Sequence, residues 1–66
     1  MNRIKEIREE KHITQAELAE QVGLNRSMIS YIESGRKTLS IKIASEIADF
    51  LNVTLDELAG RERKEK

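Results

Sequence analysis

Apolar residues recur along this chain at intervals of three and four, with polar residues between them. That rhythm belongs to amphipathic helices. Ile4 and Ile7, separated by charges, predict a first helix over residues 2–11 with Asn2 as its N-cap. Thr14-Gln-Ala-Glu17 is a capping box, in which a Thr hydroxyl meets the third amide and a Glu reaches back. It opens a second helix with Leu18, Ala19 and Val22 on one face, ending at Gly23. Leu24 sits in a short turn, and Asn25 caps a third helix that buries Ile29 and Ile32 and runs to about Ser34 before Gly35. After the loop Arg36-Lys37-Thr38-Leu39, Ser40 caps a fourth helix whose core stripe is Ile41, Ala44, Ile47, Ala48 and Leu51. Asn52 suits the C′ position. A second capping box, Thr54-Leu-Asp-Glu57, opens a short fifth helix with Leu55 and Leu58 inward, closed by Gly60.

Composition narrows what such helices can be. The chain has 66 residues, with one His, one Tyr, one Phe and no Trp, Cys or Pro. A single domain of this length buries only about 60% of the surface its unfolded form exposes. Without Cys there is no disulfide or thiolate metal site, and one His leaves too few ligands for zinc. Helix packing, oligomerisation or both must supply stability. No apolar run exceeds two residues, so no membrane span or signal-peptide core is expected and the cytoplasm is the expected location. Residues 1–60 read as one domain. Residues 61–66, charged and without an apolar side chain, read as a frayed or disordered end.

An enzyme reading finds no support. There is no Gly-rich phosphate loop, no Cys and no His-centred triad spacing. The carboxylate pairs Glu9-Glu10 and Asp56-Glu57 read as solvated helix residues or caps, and His12 as a lone residue near a helix C-terminus. No catalytic residue, metal, cofactor or small-molecule ligand is expected.

The informative feature is the pair of helices around Gly23-Leu24-Asn25. A helix-turn-helix needs a tight turn, a small residue where the helices cross and apolar residues locking the pair. In a window counted from Gln15, small Ala19 falls fifth and Gly23 ninth. Leu18, Val22, Leu24, Ile29 and Ile32 fall fourth, eighth, tenth, fifteenth and eighteenth, so every steric requirement is met without a gap. The segments Ile13-Thr-Gln-Ala-Glu-Leu-Ala-Glu-Gln-Val-Gly23, Arg26-Ser-Met-Ile-Ser-Tyr-Ile-Glu-Ser-Gly35 and Val53-Thr-Leu-Asp-Glu-Leu58 resemble the Cro and lambda-repressor-like helix-turn-helix family of bacterial and phage transcriptional regulators. The resemblance covers roughly residues 3–60. It implies an all-α, compact five-helix domain whose third helix enters the DNA major groove. The chain departs from the family's pattern in having Leu39 where Pro is common, Ile43 for a polar residue, Ser45 for an aliphatic one and Asn52 for Gly.

The outward side of the third helix carries Arg26, Ser27, Ser30 and Tyr31. In this docking mode the first turn reaches base edges. Arg26 can fork onto guanine O6 and N7. Ser27 and Ser30 keep the face clear and either bond a base or phosphate or simply face water. Tyr31 reads as a contact to a thymine methyl or phosphate, or as packing over the following loop. Met28 is either groove-side filler or partly buried packing. Arg36, Lys37 and Lys42 suit backbone phosphates, which give affinity and salt dependence rather than sequence choice. Asn25 caps its helix and is a further phosphate candidate. Gln15 stands at a helix N-terminus, where free amides and the dipole favour an anion. The resemblance implies that the matching Gln touches the DNA backbone. It also implies a structural pair between Arg8 and Glu33.

Net charge is zero, whereas DNA-binding domains are usually basic. The charge is unevenly placed, however. Residues 23–45 carry Arg26, Arg36, Lys37 and Lys42 against Glu33 alone, while residues 46–60 carry four acids and no base. Weak, salt-sensitive background binding and reliance on base contacts are therefore expected.

One such module reads few base pairs, and pairing of half-sites about 34 Å apart is the usual remedy. With no separate dimerisation or ligand-binding segment expected, the contact must lie on the domain and occupancy follows concentration. Ile43 and Phe50, seven apart on the fourth helix, with Leu39, form the candidate homodimer surface. Alternatively Phe50 fills the core beside the fifth or first helix. The expected function is a sequence-specific regulator of double-stranded DNA, a repressor or autoregulator, dimeric on a palindromic operator. The rival is an antitoxin-type module that neutralises a partner protein and autoregulates its operon; the short polar tail does not favour it.

Overall fold

Helix starts in this chain are set by side-chain oxygens. Thr14 Oγ1 accepts from the Glu17 amide at 3.0 Å while Glu17 Oε1 accepts from the Thr14 amide at 2.9 Å. Thr54 and Glu57 repeat the arrangement at 3.0 and 2.7 Å. Asn25 Oδ1 accepts from the Met28 amide at 2.9 Å and Ser40 Oγ from the Ile43 amide at 3.2 Å. In the computed structural model, which describes residues 2–60, the resulting helices are α1 (Ile4–Glu10), α2 (Gln15–Val22), α3 (Arg26–Glu33), α4 (Ile41–Leu51) and α5 (Leu55–Ala59). Among the described residues there is no strand, and the fold is all-α as expected. The expectation for the 61–66 tail lies outside the described residues.

The first helix is shorter than residues 2–11, and Asn2 is not its formal N-cap. Arg3 holds that place without a side-chain cap bond. Asn2 still satisfies an orphan amide one step further out: its Oδ1 accepts from the Ile4 amide at 3.1 Å. Its Nδ2 donates to the Ile32 carbonyl at 3.0 Å, which ties the start of α1 to α3.

Four helices end in one way. A residue in the left-handed region follows the last turn, and the next amide donates five residues back: Ile13 to Arg8, Leu24 to Ala19, Arg36 to Tyr31 and Val53 to Ala48, at 2.9–3.0 Å. This is the Schellman closure. The left-handed residues are His12, Gly23, Gly35 and Asn52. Gly23 has φ +73°, free of a Cβ clash, and so lets α3 leave α2 after a three-residue turn. His12, read from the sequence only as a charge near a helix end, occupies the same region at φ +60° with its Cβ intact. In three of the closures the residue after the left-handed one is apolar and packs on the core: Ile13, Leu24 and Val53. After α3 it is Arg36, which is exposed.

Ile4, Leu18, Ile29, Ile47, Leu51 and Leu58 are fully buried, and every helix contributes at least one of them. Burying such a side chain stabilises by about 1.5–3 kcal/mol, against the chain entropy that ordering costs. Helix α2 packs on α3 and α4, and α5 packs on α4 and α1. The Arg3 amide adds a bond to the Leu58 carbonyl at 2.9 Å. Two expected inward residues are not inward. Ile41, the first residue of the α4 stripe, is 78% exposed, and Leu55 is 45% exposed. Each opens its helix, and the two line one groove between the starts of α4 and α5. Among the described residues no helix is long and apolar enough to cross a membrane.

Candidate nucleic-acid interface

Helix α3 is divided sharply by its own periodicity. Ile29 and Ile32 are buried, while Arg26, Ser27, Ser30 and Tyr31 are exposed. The helix is anchored inward on α2 and offers one uninterrupted polar side outward. Met28 is half-buried beside it. Asn25 directs its side chain to the Met28 amide, so its side-chain oxygen is occupied by capping.

The loop after α3 hangs from one carbonyl. The Tyr31 oxygen accepts from the Arg36 amide at 2.9 Å, the Lys37 amide at 3.3 Å and the Ser34 hydroxyl at 3.0 Å. The backbone of Arg36 and Lys37 is thereby held at the C-terminal end of α3, and both residues are exposed. Tyr31 itself is 47% exposed. Lys42 is placed differently: its Nζ lies 3.2 Å from Glu46 Oε2 on the surface of α4. An exposed i,i+4 pair of that kind contributes only about 0.3–0.5 kcal/mol and does not lock the lysine.

Behind α3 lies a buried polar junction. Arg8 Nε donates to Glu33 Oε2 at 2.7 Å and Nη2 donates to Oε1 at 3.3 Å. The two side chains are 7% and 4% exposed. Arg8 Nη1 donates to the Ile13 carbonyl at 2.8 Å, just before the capping box of α2. Gln15 Nε2 donates to Glu33 Oε1 at 3.0 Å. One carboxylate thus joins the middle of α1, the first residue of α2 and the last of α3. Among the described residues no buried side-chain nitrogen or oxygen lacks a hydrogen-bond partner. The Gln15–Glu33 and Asn2–Ile32 contacts are not legible in the sequence, since no local spacing relates residues eighteen or thirty apart.

The surface proposed for self-association is not one patch. Leu39 and Ile43 are half-buried and pack against the core. Phe50 is 38% exposed, but it lines a depression with His12, Ile13, Glu17 and Gln21, beside α2. Leu39 lines a different groove, with Ile41, Ala44 and Leu55, between the starts of α4 and α5. The seven-residue spacing of Ile43 and Phe50 puts them on one side of α4, yet the neighbours differ along its length.

Comparison with known proteins agrees with this geometry. A family model described as helix-turn-helix matches residues 4–58. The chain is 44% identical over 55 residues to the ImmF control region 10 kDa protein of Bacillus phage phi105, covering 83% of this chain and 61% of that protein. The chain therefore spans less than two thirds of that relative. It is 39% identical over 56 residues to an HTH-type transcriptional regulator of Archaeoglobus fulgidus, covering 85% of this chain and 79% of the relative. Among solved structures, the restriction-modification controller protein C.AhdI from Aeromonas hydrophila superposes with a TM-score of 0.78 at 31% identity, covering 83% of this chain and 80% of that one. The gapless motif, the five capped helices and these likenesses agree: the chain belongs to the helix-turn-helix family of DNA-binding transcriptional regulators, a family of binding proteins rather than enzymes.

Proposed function

We propose that the protein is a cytoplasmic, sequence-specific regulator that lays α3 in the major groove and represses transcription by occupying its operator. The exposed row Arg26, Ser27, Ser30 and Tyr31, backed by buried Ile29 and Ile32, carries this reading. Arg26 stands in the first turn, where a guanidinium forks onto a guanine. Arg36 and Lys37 flank the row and take phosphates, as do the α2 N-terminus at Gln15 and the α3 N-terminus at Asn25. The relatives named as regulators support this over the antitoxin reading.

The operator is palindromic because the regulator binds as a homodimer. The exposed Ile41 and Leu55, with Leu39 between them and the core, form the contact in place of Ile43 and Phe50. Lys37 and Asp56 line the same groove with opposite charge.

Selection of bound duplexes from random DNA tests the reading. A recovered palindrome with half-sites about one helical turn apart is expected. Arg26→Ala should then cost about 1–3 kcal/mol and relax preference at one position, while Lys37→Ala weakens all sequences alike and flattens the salt slope. Unchanged binding by both variants refutes the groove assignment. Sedimentation of Ile41→Lys should give a monomer where the parent gives a dimer. A monomeric parent at high concentration, with and without operator, refutes the dimer.

A further inference from the structure

We propose that Glu33 is a positioning residue for DNA binding: it turns the Gln15 side-chain amide so that a nitrogen, not an oxygen, is presented at the start of α2. This rests on the reading above that the α2 N-terminus meets a phosphate. The Glu33 carboxylate has only acceptor atoms, and its Oε1 lies 3.0 Å from Gln15 Nε2. A flipped amide would set two acceptors against each other in a site where the carboxylate is 4% exposed. The sense of the amide is therefore fixed before DNA arrives. Its nitrogen carries two hydrogens. One goes to Glu33, and the second remains for a phosphate oxygen.

The surroundings suit that task. The capping box uses the amides of Thr14 and Glu17. The amides of Gln15 and Ala16, in the first turn, have no intrahelical acceptor. They and the second Nε2 hydrogen form one set of donors at the positive end of the helix. Arg8 keeps the carboxylate in place with two donors and holds the entering chain with a third, at the Ile13 carbonyl. Scaffold and contact residue thus share one buried anion. Arg8 gives each carboxylate oxygen one hydrogen bond, and Gln15 gives Oε1 its second.

The test is a double-mutant cycle on the full chain, titrated against an operator selected from random duplexes. Gln15→Ala should weaken binding about 12- to 160-fold, the span of one hydrogen bond to a charged group. Glu33→Gln leaves Arg8 without its anion and risks unfolding, so the informative background is Arg8→Met with Glu33→Leu. Apolar replacement of a buried pair often retains the fold. In that background, confirmed folded by circular dichroism, binding should be weakened by a similar factor, and adding Gln15→Ala should change it no further. In the free protein, one of the two Gln15 side-chain amide protons should exchange slowly and lose that protection in the same background. The proposal is overturned if Gln15→Ala costs the same factor in both backgrounds, or if the amide protons exchange identically in both. It also falls if Gln15→Ala is silent while Arg26→Ala weakens binding, which leaves the groove reading standing. Silence of both variants removes the groove reading itself.

Discussion

The two ends of the helix array are held together by different means. At the α1–α2–α3 junction a carboxylate and a guanidinium, both nearly buried, meet a half-buried amide. Between α4 and α5 the contact is apolar, through Ile47, Leu51 and Leu58, and the polar groups nearby are spent on caps. Dry packing is tolerant: any shape of the right volume suffices, and the helix can settle by small shifts. A charge-assisted network demands one geometry, because every misplaced donor leaves a desolvated group unpaired. The demanding device stands behind the helix expected to meet DNA and the tolerant one behind the helices expected to meet a second copy. An interface that reads bases needs its side chains placed closely, whereas an apolar dimer contact can repack.

That contrast can be broken most forcefully at Glu33. Glu33→Ala leaves Arg8 buried without an anion and should cost about 3–5 kcal/mol in urea unfolding, enough to remove most of the stability of a domain this size. Arg8→Met with Glu33→Leu should cost far less; equal losses would show that the ion pair itself, not the orphaned charge, sets the figure. On the dry side, Leu51→Ala opens a cavity beneath α4 and should cost about 2–5 kcal/mol by the same measurement. A loss below 1 kcal/mol would mean that α4 collapses onto α5 without strain. Thr54→Ala removes one cap from α5 and should cost about 1 kcal/mol. His12→Gly should stabilise by about 1 kcal/mol by relieving the left-handed conformation at the end of α1. A lowered melting temperature for His12→Gly would assign the histidine a contact that its exposed position does not suggest. Smallest of all, Ile41→Ser should leave monomer stability within about 0.5 kcal/mol, because the side chain is 78% exposed, while still disturbing self-association.

Much of this was legible residue by residue. Capping boxes are local, three residues apart, so Thr14–Glu17 and Thr54–Glu57 could be read directly and are found closed. The outward and inward sides of α3 follow from a period of 3.6 residues and an eight-residue helix. Ile41 and Leu55 could not be read correctly, because periodicity says which face a residue occupies and not whether another element reaches far enough to cover it. Phe50 lies on the expected side of α4 and is exposed, while its neighbours on α2 are invisible to local spacing. His12 was missed because a left-handed closure is usually announced by Gly or Asn, and here neither is present.

By itself, then, the sequence determined the starts of α2 to α5, their closures at Gly23, Gly35, Asn52 and Gly60, the core stripes apart from Ile41 and Leu55, and which row of side chains faces out from α3. Those depend on hydrogen bonds and spacings of five residues or fewer. Only the tertiary structure decided that Glu33, Arg8, Gln15 and the Ile13 carbonyl converge on one buried point, and that the α4 stripe runs beyond its cover at Ile41. Both outcomes depend on where helices distant in sequence come to rest. That is set by the packing of the whole core, and no local pattern encodes it.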